Sequence, residues 1–232
     1  MTGPEKLDSS PRDDLLNHVS LVMKQNDPFL HRNALDAYGA IIDLANDATR
    51  YLPDPDHRER AEQYVQSALA HFVYHVLPPL GGALFIDLLS GNLPGCFRQL
   101  RTAHESLVKC FLADLRYTDV DFFLKKLRAL EDSAHIDRQT ITAMMRDFDE
   151  YLGLADSAVA LWTDLSQDWV HPMGLVNRIM HQVYAKADIP TWALVTPMEY
   201  SMNEIDSLHE LGMKVTDFRK ILATALEKDN RS

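Results

Sequence analysis

Apolar residues recur every three or four positions along most of this chain, which is the spacing of one face of an amphipathic helix. The clearest stripe lies between Pro94 and Tyr117 and consists of Phe97, Leu100, His104, Leu107, Val108, Phe111 and Leu115. Pro94 follows the turn-forming run Gly91-Asn92-Leu93 and stands where a first-turn proline is tolerated. The pattern predicts a long helix over 94–117 around which the rest of the chain packs.

Similar stripes predict further helices over 13–25, 29–52, 57–77, 80–89, 120–131, 137–152, 156–170 and from 201 to about 228. Prolines are expected to end or sharply kink three of them, at Asp27-Pro28, Pro53-Asp54-Pro55-Asp56 and Pro78-Pro79. Ser201 and Glu204 have the spacing of a capping box at the start of the last helix. In the helix over 120–131, the basic residues Lys125, Lys126 and Arg128 are expected to face solvent.

The sequence therefore predicts an all-α fold, a globular bundle of seven to nine helices with one short extended segment near 184–198. That segment contains two prolines and a β-favouring run. Residues 1–12 are polar and predict a disordered tail. Residues 13–228 predict a single helical domain, with N-terminal helices over 13–52 and the main body over 57–228. Only nine glycines occur in 232 residues, which argues against a turn-rich all-β fold.

Composition and charge indicate the cellular compartment and the classes of binding partner to expect. Cys96 and Cys110 lie on one predicted helix about 20 Å apart, beyond disulfide reach, which predicts buried thiols in a reducing compartment. The start of the chain does not resemble a signal peptide, and the apolar run 76–89 is too short to span a bilayer. We therefore expect a cytoplasmic protein without a membrane partner. An excess of 34 acidic over 23 basic residues argues against tight duplex binding, but leaves room for a local basic groove along 94–117.

The first candidate site residues are Arg101 and Glu105, one helical turn apart at the edge of the central stripe. They could form a surface ion pair worth about 0.2–0.5 kcal/mol, with the charges in the less favourable order. Alternatively, the guanidinium is partly buried and needs acceptors such as Glu105, Asp87, a carbonyl or a ligand phosphate.

The second candidate is His171, which precedes Pro172 and is therefore expected at a helix end. The imidazole could cap that helix, where the macrodipole favours the cation, or it could act as a general acid/base or an anion contact. Ser166, five residues earlier, could line the same site.

Other histidines carry weaker patterns. His71 and His75 have the spacing of two imidazoles that share a metal, but no third ligand is placed by the sequence, so no metal site and no cofactor are predicted. Arg98 and His104 fit a loose Arg-x5-His ribonuclease pattern, as Arg32 and Tyr38 fit a loose Arg-Asn…Tyr one. His104 lies in the apolar stripe, which is typical of a core histidine.

Two groups of residues carry a resemblance to a known family. They are Leu89-Ser90-Gly91-Asn92-Leu93-Pro94 followed by Arg101-x3-Glu105, and Leu165-Ser166 with Val170-His171-Pro172. Together they resemble an uncharacterised prokaryotic family of all-helical proteins, over roughly residues 80–226. That family is similar to the HEPN domains, small helical bundles that often dimerise. Some HEPN domains are metal-independent ribonucleases of toxin or antiviral systems, and others bind nucleotides or partner proteins.

The resemblance implies a HEPN-like body over 57–228 and a homo-oligomer. The leading hypothesis is a helical domain, non-enzymatic or accessory, that binds a protein partner or an anionic ligand. Arg101 and His171 would contact the anion, Glu105 would orient Arg101, and Ser166 would be a supporting donor. The alternative is a HEPN-like metal-independent ribonuclease acting on RNA, in which a histidine is the general acid/base and an arginine stabilises the phosphorane.

Overall fold

The computed structural model describes residues 11–50, 65–166 and 198–229. Within these ranges all regular structure is helical, with no strand. The eight helices are α1 (Pro11–Asn33), α2 (Leu35–Arg50), α3 (Ala68–Leu89), α4 (Leu93–Arg116), α5 (Phe123–Ile136), α6 (Ile141–Leu152), α7 (Ser157–Leu165) and α8 (Ile205–Asp229). This confirms the predicted all-α bundle. Of the predicted tail over 1–12, residues 1–10 lie outside the described residues, whereas Pro11 and Arg12 already belong to α1, so the tail was predicted two residues too long. The extended segment predicted near 184–198 lies outside the described residues up to 197.

Helix α4 is the centre of the bundle, as its apolar stripe predicts. Its buried side chains include Phe97, Leu100, Leu107, Val108 and Phe111. Helices α3, α5, α6, α7 and α8 all pack against it. Full burial of one such side chain contributes about 1.5–3 kcal/mol, so α4 is held from several sides at once. This packing therefore fixes the positions of the side chains at the edges of the α4 stripe.

Helix α8 packs most extensively against α2, although the two are far apart in sequence. Gly212 allows the close approach, because a Cβ there would lie 2.9 Å from the backbone nitrogen of Ala37. Arg219 adds ion pairs to the carboxylates of Asp47 at 2.6 Å and Asp43 at 2.9 Å. Close backbone packing and ion pairs thus hold α8 against α2.

The turn between α3 and α4 packs against Met198, the first residue of the last described range. Gly91 has a φ of 76°, and a Cβ there would lie 1.9 Å from the carbonyl oxygen of Met198. The backbone N–H of Met198 donates to the carbonyl of Ser90 at 2.9 Å. The buried amide of Asn26 donates to the Met198 carbonyl at 2.9 Å and accepts from the Tyr200 N–H at 2.8 Å. The Ser-Gly-Asn run that carries the family resemblance therefore has a docking role within the fold.

The predicted helix break at Asp27-Pro28 is wrong, because α1 continues through Pro28 to Asn33. The buried bonds of Asn26 hold this turn against the bundle, which offsets the backbone bond that proline removes. The carboxylate of Asp27 does not open a new helix but accepts a hydrogen bond from the Tyr38 hydroxyl at 2.8 Å.

Pro78-Pro79 were expected to end or sharply kink the helix, and α3 does not end there, since it continues to Leu89. A π-helical turn over Phe72–Val76 precedes the two prolines, and the N–H of Leu77 donates to the Phe72 carbonyl. The prolines then fall in the first turn of the α-helical part Leu77–Leu89, where their missing N–H groups cost little.

Because α3 continues through the two prolines, it is longer than the apolar run 76–89 noted in the sequence. Over its 22 residues the mean hydropathy of the most apolar window reaches 1.5, so α3 is long and apolar enough to cross a membrane by length and composition. A third of that window (33%) is buried inside the bundle, and α2 and α4 pack against the helix. The expectation that no membrane is involved stays a prediction.

Lys126 does not face solvent as predicted, because only 7% of it is exposed. Its ammonium lies 2.9 Å from the Asp114 carboxylate, which also accepts the N–H groups of Ala68 at 2.9 Å and Leu69 at 2.8 Å. A partly buried carboxylate at the start of α3 is stabilised by a counter-charge, and the long lysine side chain reaches it.

Candidate functional site

The candidate site is built on two neighbouring helices, α4 and α7. The guanidinium carbon of Arg101 on α4 lies 5.5 Å from the ring centroid of Trp162 on α7, which is a cation–π contact. The Nε atom of Arg101 is buried and has no hydrogen-bond partner. A guanidinium stacked on an indole in this way keeps its donors directed away from the ring, toward any acceptor beside it.

Neither carboxylate suggested by the sequence pairs with Arg101. Glu105 instead forms an ion pair with Lys109 on the next turn of α4, at 3.0 Å. Asp87 accepts a hydrogen bond from the side-chain amide of Asn92 at 2.9 Å. No hydrogen bond or ion pair joins Arg101 to a carboxylate within the described ranges. The role of Glu105 in orienting Arg101 has no support in this geometry.

Ser166 is the next candidate and lies one helical turn after Trp162. The two residues are four apart, so they share one side of the helix formed by α7 and the residue that follows it. Ser166 is only 4% exposed, and both its Oγ and the Nε1 of Trp162 are buried without a hydrogen-bond partner. Trp162 lies in the helix predicted over 156–170, and no signal in the sequence indicated its unpartnered indole N–H.

His104 lies three residues after Arg101 on α4 and is 0% exposed. The edge of Phe218 from α8 packs against its ring, with 6.0 Å between the centroids, and neither ring nitrogen has a hydrogen-bond partner. Burial lowers the pKa of His104 to about 3, so the imidazole is neutral at physiological pH. The predicted core position of His104 is confirmed, but the expectation that its ring nitrogens are hydrogen-bonded within the protein, as buried polar atoms usually are, is wrong.

We call these four residues, Arg101, His104, Trp162 and Ser166, the orphan cluster. Each contributes at least one buried polar atom without a partner, and leaving such an atom unpaired costs about 1–3 kcal/mol. Arg101 and Trp162 meet through the cation–π contact, His104 follows Arg101 by three residues on α4, and Ser166 directly follows α7. The cluster therefore combines a cation with several free hydrogen-bond donors.

His171 lies outside the described residues. Its predicted approach to Arg101 therefore stays a prediction, and the cluster is argued without it.

The His71 and His75 rings are neighbours on α3, with centroids 4.9 Å apart. His71 stacks on Phe123 from α5 at 4.0 Å, and burial together with the adjacent His75 lowers its pKa. Among the residues that the structure describes, no group of three His, Cys, Asp or Glu side chains is placed to hold a metal ion. The stacking contact is typical of a packed pair.

Comparison with protein-family models, with curated proteins and with solved structures finds no match for this chain. The resemblance to HEPN domains therefore stays a prediction, and function has to be argued from the orphan cluster itself.

Proposed function

We propose that this protein is a non-enzymatic or accessory helical domain that binds an anionic ligand at the orphan cluster. The observation that carries the proposal is the guanidinium of Arg101, which rests on Trp162 and has no carboxylate partner within the described residues. A partly buried cation without a counter-charge is costly, and a bound anion would supply that counter-charge.

The surroundings of Arg101 favour a small anionic group over a large one. Ser166 and His104 are more than nine-tenths buried, so only a compact group could reach them. The free N–H of Trp162 and the hydroxyl of Ser166 are donors, as an anion requires. A carboxylate from a protein partner would meet the same donors, but a free oxyanion fits the enclosed position better.

The ribonuclease alternative needs a histidine that changes protonation near neutral pH. His104 cannot do this, because it is fully buried and its pKa is lowered to about 3. That alternative would have to use His171, and no observation on the described residues favours it. Cleavage of labelled single-stranded RNA in the presence of EDTA, lost in Arg101→Ala and His171→Ala, would be the outcome that supports it.

Self-association is a second part of the proposal. On α1, Leu15 and Leu16 are 59% and 54% exposed, although Val22, two turns after Leu15 on the same face, is buried in the bundle. The apolar stripe of α1 therefore extends beyond the surface that this chain covers, which favours a second copy. Sedimentation equilibrium tests this, and a protein that stays monomeric at high concentration contradicts it.

Anion binding is tested by thermal unfolding of wild-type protein, Arg101→Gln and Arg98→Gln in a panel of phosphate, sulfate, citrate and adenosine monophosphate. Arg98 is the matched control, because it is an exposed arginine on the same helix. A ligand at 100 times its Kd stabilises the folded state by about 2.7 kcal/mol. We expect at least one anion to raise the Tm of wild type and Arg98→Gln but not of Arg101→Gln. Equal shifts in all three proteins, or none in any, contradict the proposal.

A further inference from the structure

Helix α3 presents an uncharged face to solvent. Residues 76–86 carry no polar side chain and form the longest such run in the chain. The buried stripe of this helix consists of Leu77, Gly81, Leu84 and Leu88. On the opposite side, Pro79, Gly82 and Ile86 recur at the same helical spacing and are exposed, and we call these three residues the α3 face. An exposed apolar face of this kind is typical of an interaction surface.

The α3 face has space for a second helix. Ile86 is 58% exposed, and a Cβ on Gly82 would meet no atom of the described residues within 4 Å. The absence of a side chain at Gly82 lets another backbone come close to α3 at this point. The nearest carboxylate in the sequence, that of Asp87, accepts a hydrogen bond from the side-chain amide of Asn92 at 2.9 Å and is therefore directed toward the turn before α4.

The net charge of the chain limits where two copies can meet. Two chains that each carry a net charge of −11 repel each other over most of their surfaces. In a twofold contact, a residue near the axis faces its own counterpart, so a charged residue there meets a like charge. The exposed leucines of α1 have this disadvantage, because Asp13 and Asp14 directly precede Leu15. The α3 face does not, since it contains no charge.

A lipid surface is the other apolar environment that could cover the α3 face. Helices that lie on membranes carry Lys and Arg on their polar side, and these bind anionic headgroups. Helix α3 has neither lysine nor arginine between Ala68 and Leu89, and the chain as a whole is acidic. Charge therefore favours a second copy of this chain over a bilayer.

Resting on the self-association proposed above, we infer that the α3 face is the twofold interface between two copies of this chain. The two α3 helices cross at Gly82, where the backbones come closest. Ile86 of each copy packs against the α3 helix of the other copy. The contact joins apolar surface to apolar surface and places no like charges opposite each other.

The test is sedimentation equilibrium of the full chain over a range of protein concentrations, for wild type, Ile86→Lys, Ile136→Lys and Leu16→Lys. Each variant is checked for folding by circular dichroism. Ile136 on α5 provides the matched control, because it is an isoleucine with 77% exposure outside the α3 face. We expect a wild-type dimer whose dissociation constant rises at least about tenfold in Ile86→Lys and changes by less than about twofold in Ile136→Lys.

A cross-linking measurement reports on the crossing point directly. Gly82→Cys introduces a thiol there, while the native Cys96 and Cys110 are buried. A disulfide requires Cα atoms about 4.4–6.8 Å apart, so mild oxidation should link two copies only if the helices meet near Gly82. Ile136→Cys should stay unlinked under the same conditions.

The contrary results separate the levels of the proposal. A dimer that is unchanged in Ile86→Lys, or weakened equally by Ile86→Lys and Ile136→Lys, overturns the α3 interface and leaves self-association standing. Loss of that dimer in Leu16→Lys would locate the contact on α1 instead. A wild-type protein that stays monomeric overturns both levels. Flotation of the monomer with phosphatidylcholine vesicles, abolished by Ile86→Lys, would assign the face to a lipid surface and contradict the inference.

Discussion

Acid should destabilise this protein through His104, and the effect has a definite sign. The imidazole has a pKa of about 3 in the folded chain, against about 6.5 when it is unfolded and exposed to water. Between these values the unfolded state binds the proton and the folded state does not. The free energy of unfolding is therefore at its full value above pH 6.5 and falls as the pH decreases toward 3.

The size of this loss of stability follows from the same two pKa values of His104. At about 1.4 kcal/mol per pH unit, the interval from about 6.5 down to about 3 corresponds to a loss of at most about 5 kcal/mol. This is a large part of the 5–15 kcal/mol that typically stabilises a domain. No hydrogen bond from the protein to either ring nitrogen offsets the burial, which is why the effect is large.

The assay is urea unfolding at pH 7, 6, 5 and 4 for wild type and His104→Leu. Other groups contribute to the pH dependence, among them His71, whose pKa is lowered by burial, so the informative quantity is the difference between the two proteins. We expect that difference to become less favourable to wild type by up to about 1.4 kcal/mol for each pH unit below 6.5. Parallel curves with a constant offset would show that His104 does not resist protonation and would refute the reasoning.

Two further predictions compare residues that look alike in the sequence. Gly91→Ala should destabilise by more than 1 kcal/mol, because a Cβ meets a carbonyl oxygen at 1.9 Å and φ is positive, whereas Gly82→Ala in open space on α3 should stabilise by about 0.5–1 kcal/mol; chemical denaturation measures both, and equal effects would contradict the account. Asp149→Ala should cost about 1–2 kcal/mol, because its carboxylate accepts two N–H groups of α7 at 2.9 Å, while Asp156→Asn should be nearly neutral, since Asp156 makes no capping bond with its side chain and asparagine tolerates its left-handed φ of 65°; thermal unfolding distinguishes them, and a larger loss for Asp156→Asn would be the contrary result.

The helical periodicity was sufficient to predict the class of fold and the central position of α4. It failed at Pro28 and Pro78-Pro79, because the contacts that keep the chain helical there come from residues far away in sequence or from a π turn. The prediction that Lys126 faces solvent was wrong for the same reason, since its ion-pair partner Asp114 belongs to a different helix.

At the candidate site, the sequence indicated Arg101 and Ser166 but paired Arg101 with the wrong residue. Glu105 has a basic neighbour on either side, and a glutamate four residues before a lysine is the more favourable order, so its pairing with Lys109 could have been anticipated. The contribution of Trp162 depends on how α4 and α7 cross, which periodicity does not define.

The most direct test of the central claim is the indole N–H signal of Trp162 in a proton–nitrogen correlation spectrum during a phosphate titration. The chain has three tryptophans, so Trp162→Phe assigns the signal by its disappearance. The account predicts that this signal shifts saturably with phosphate in wild type and stays fixed in Arg101→Gln. A signal that never moves, or that moves equally in both proteins, would contradict anion binding at the orphan cluster.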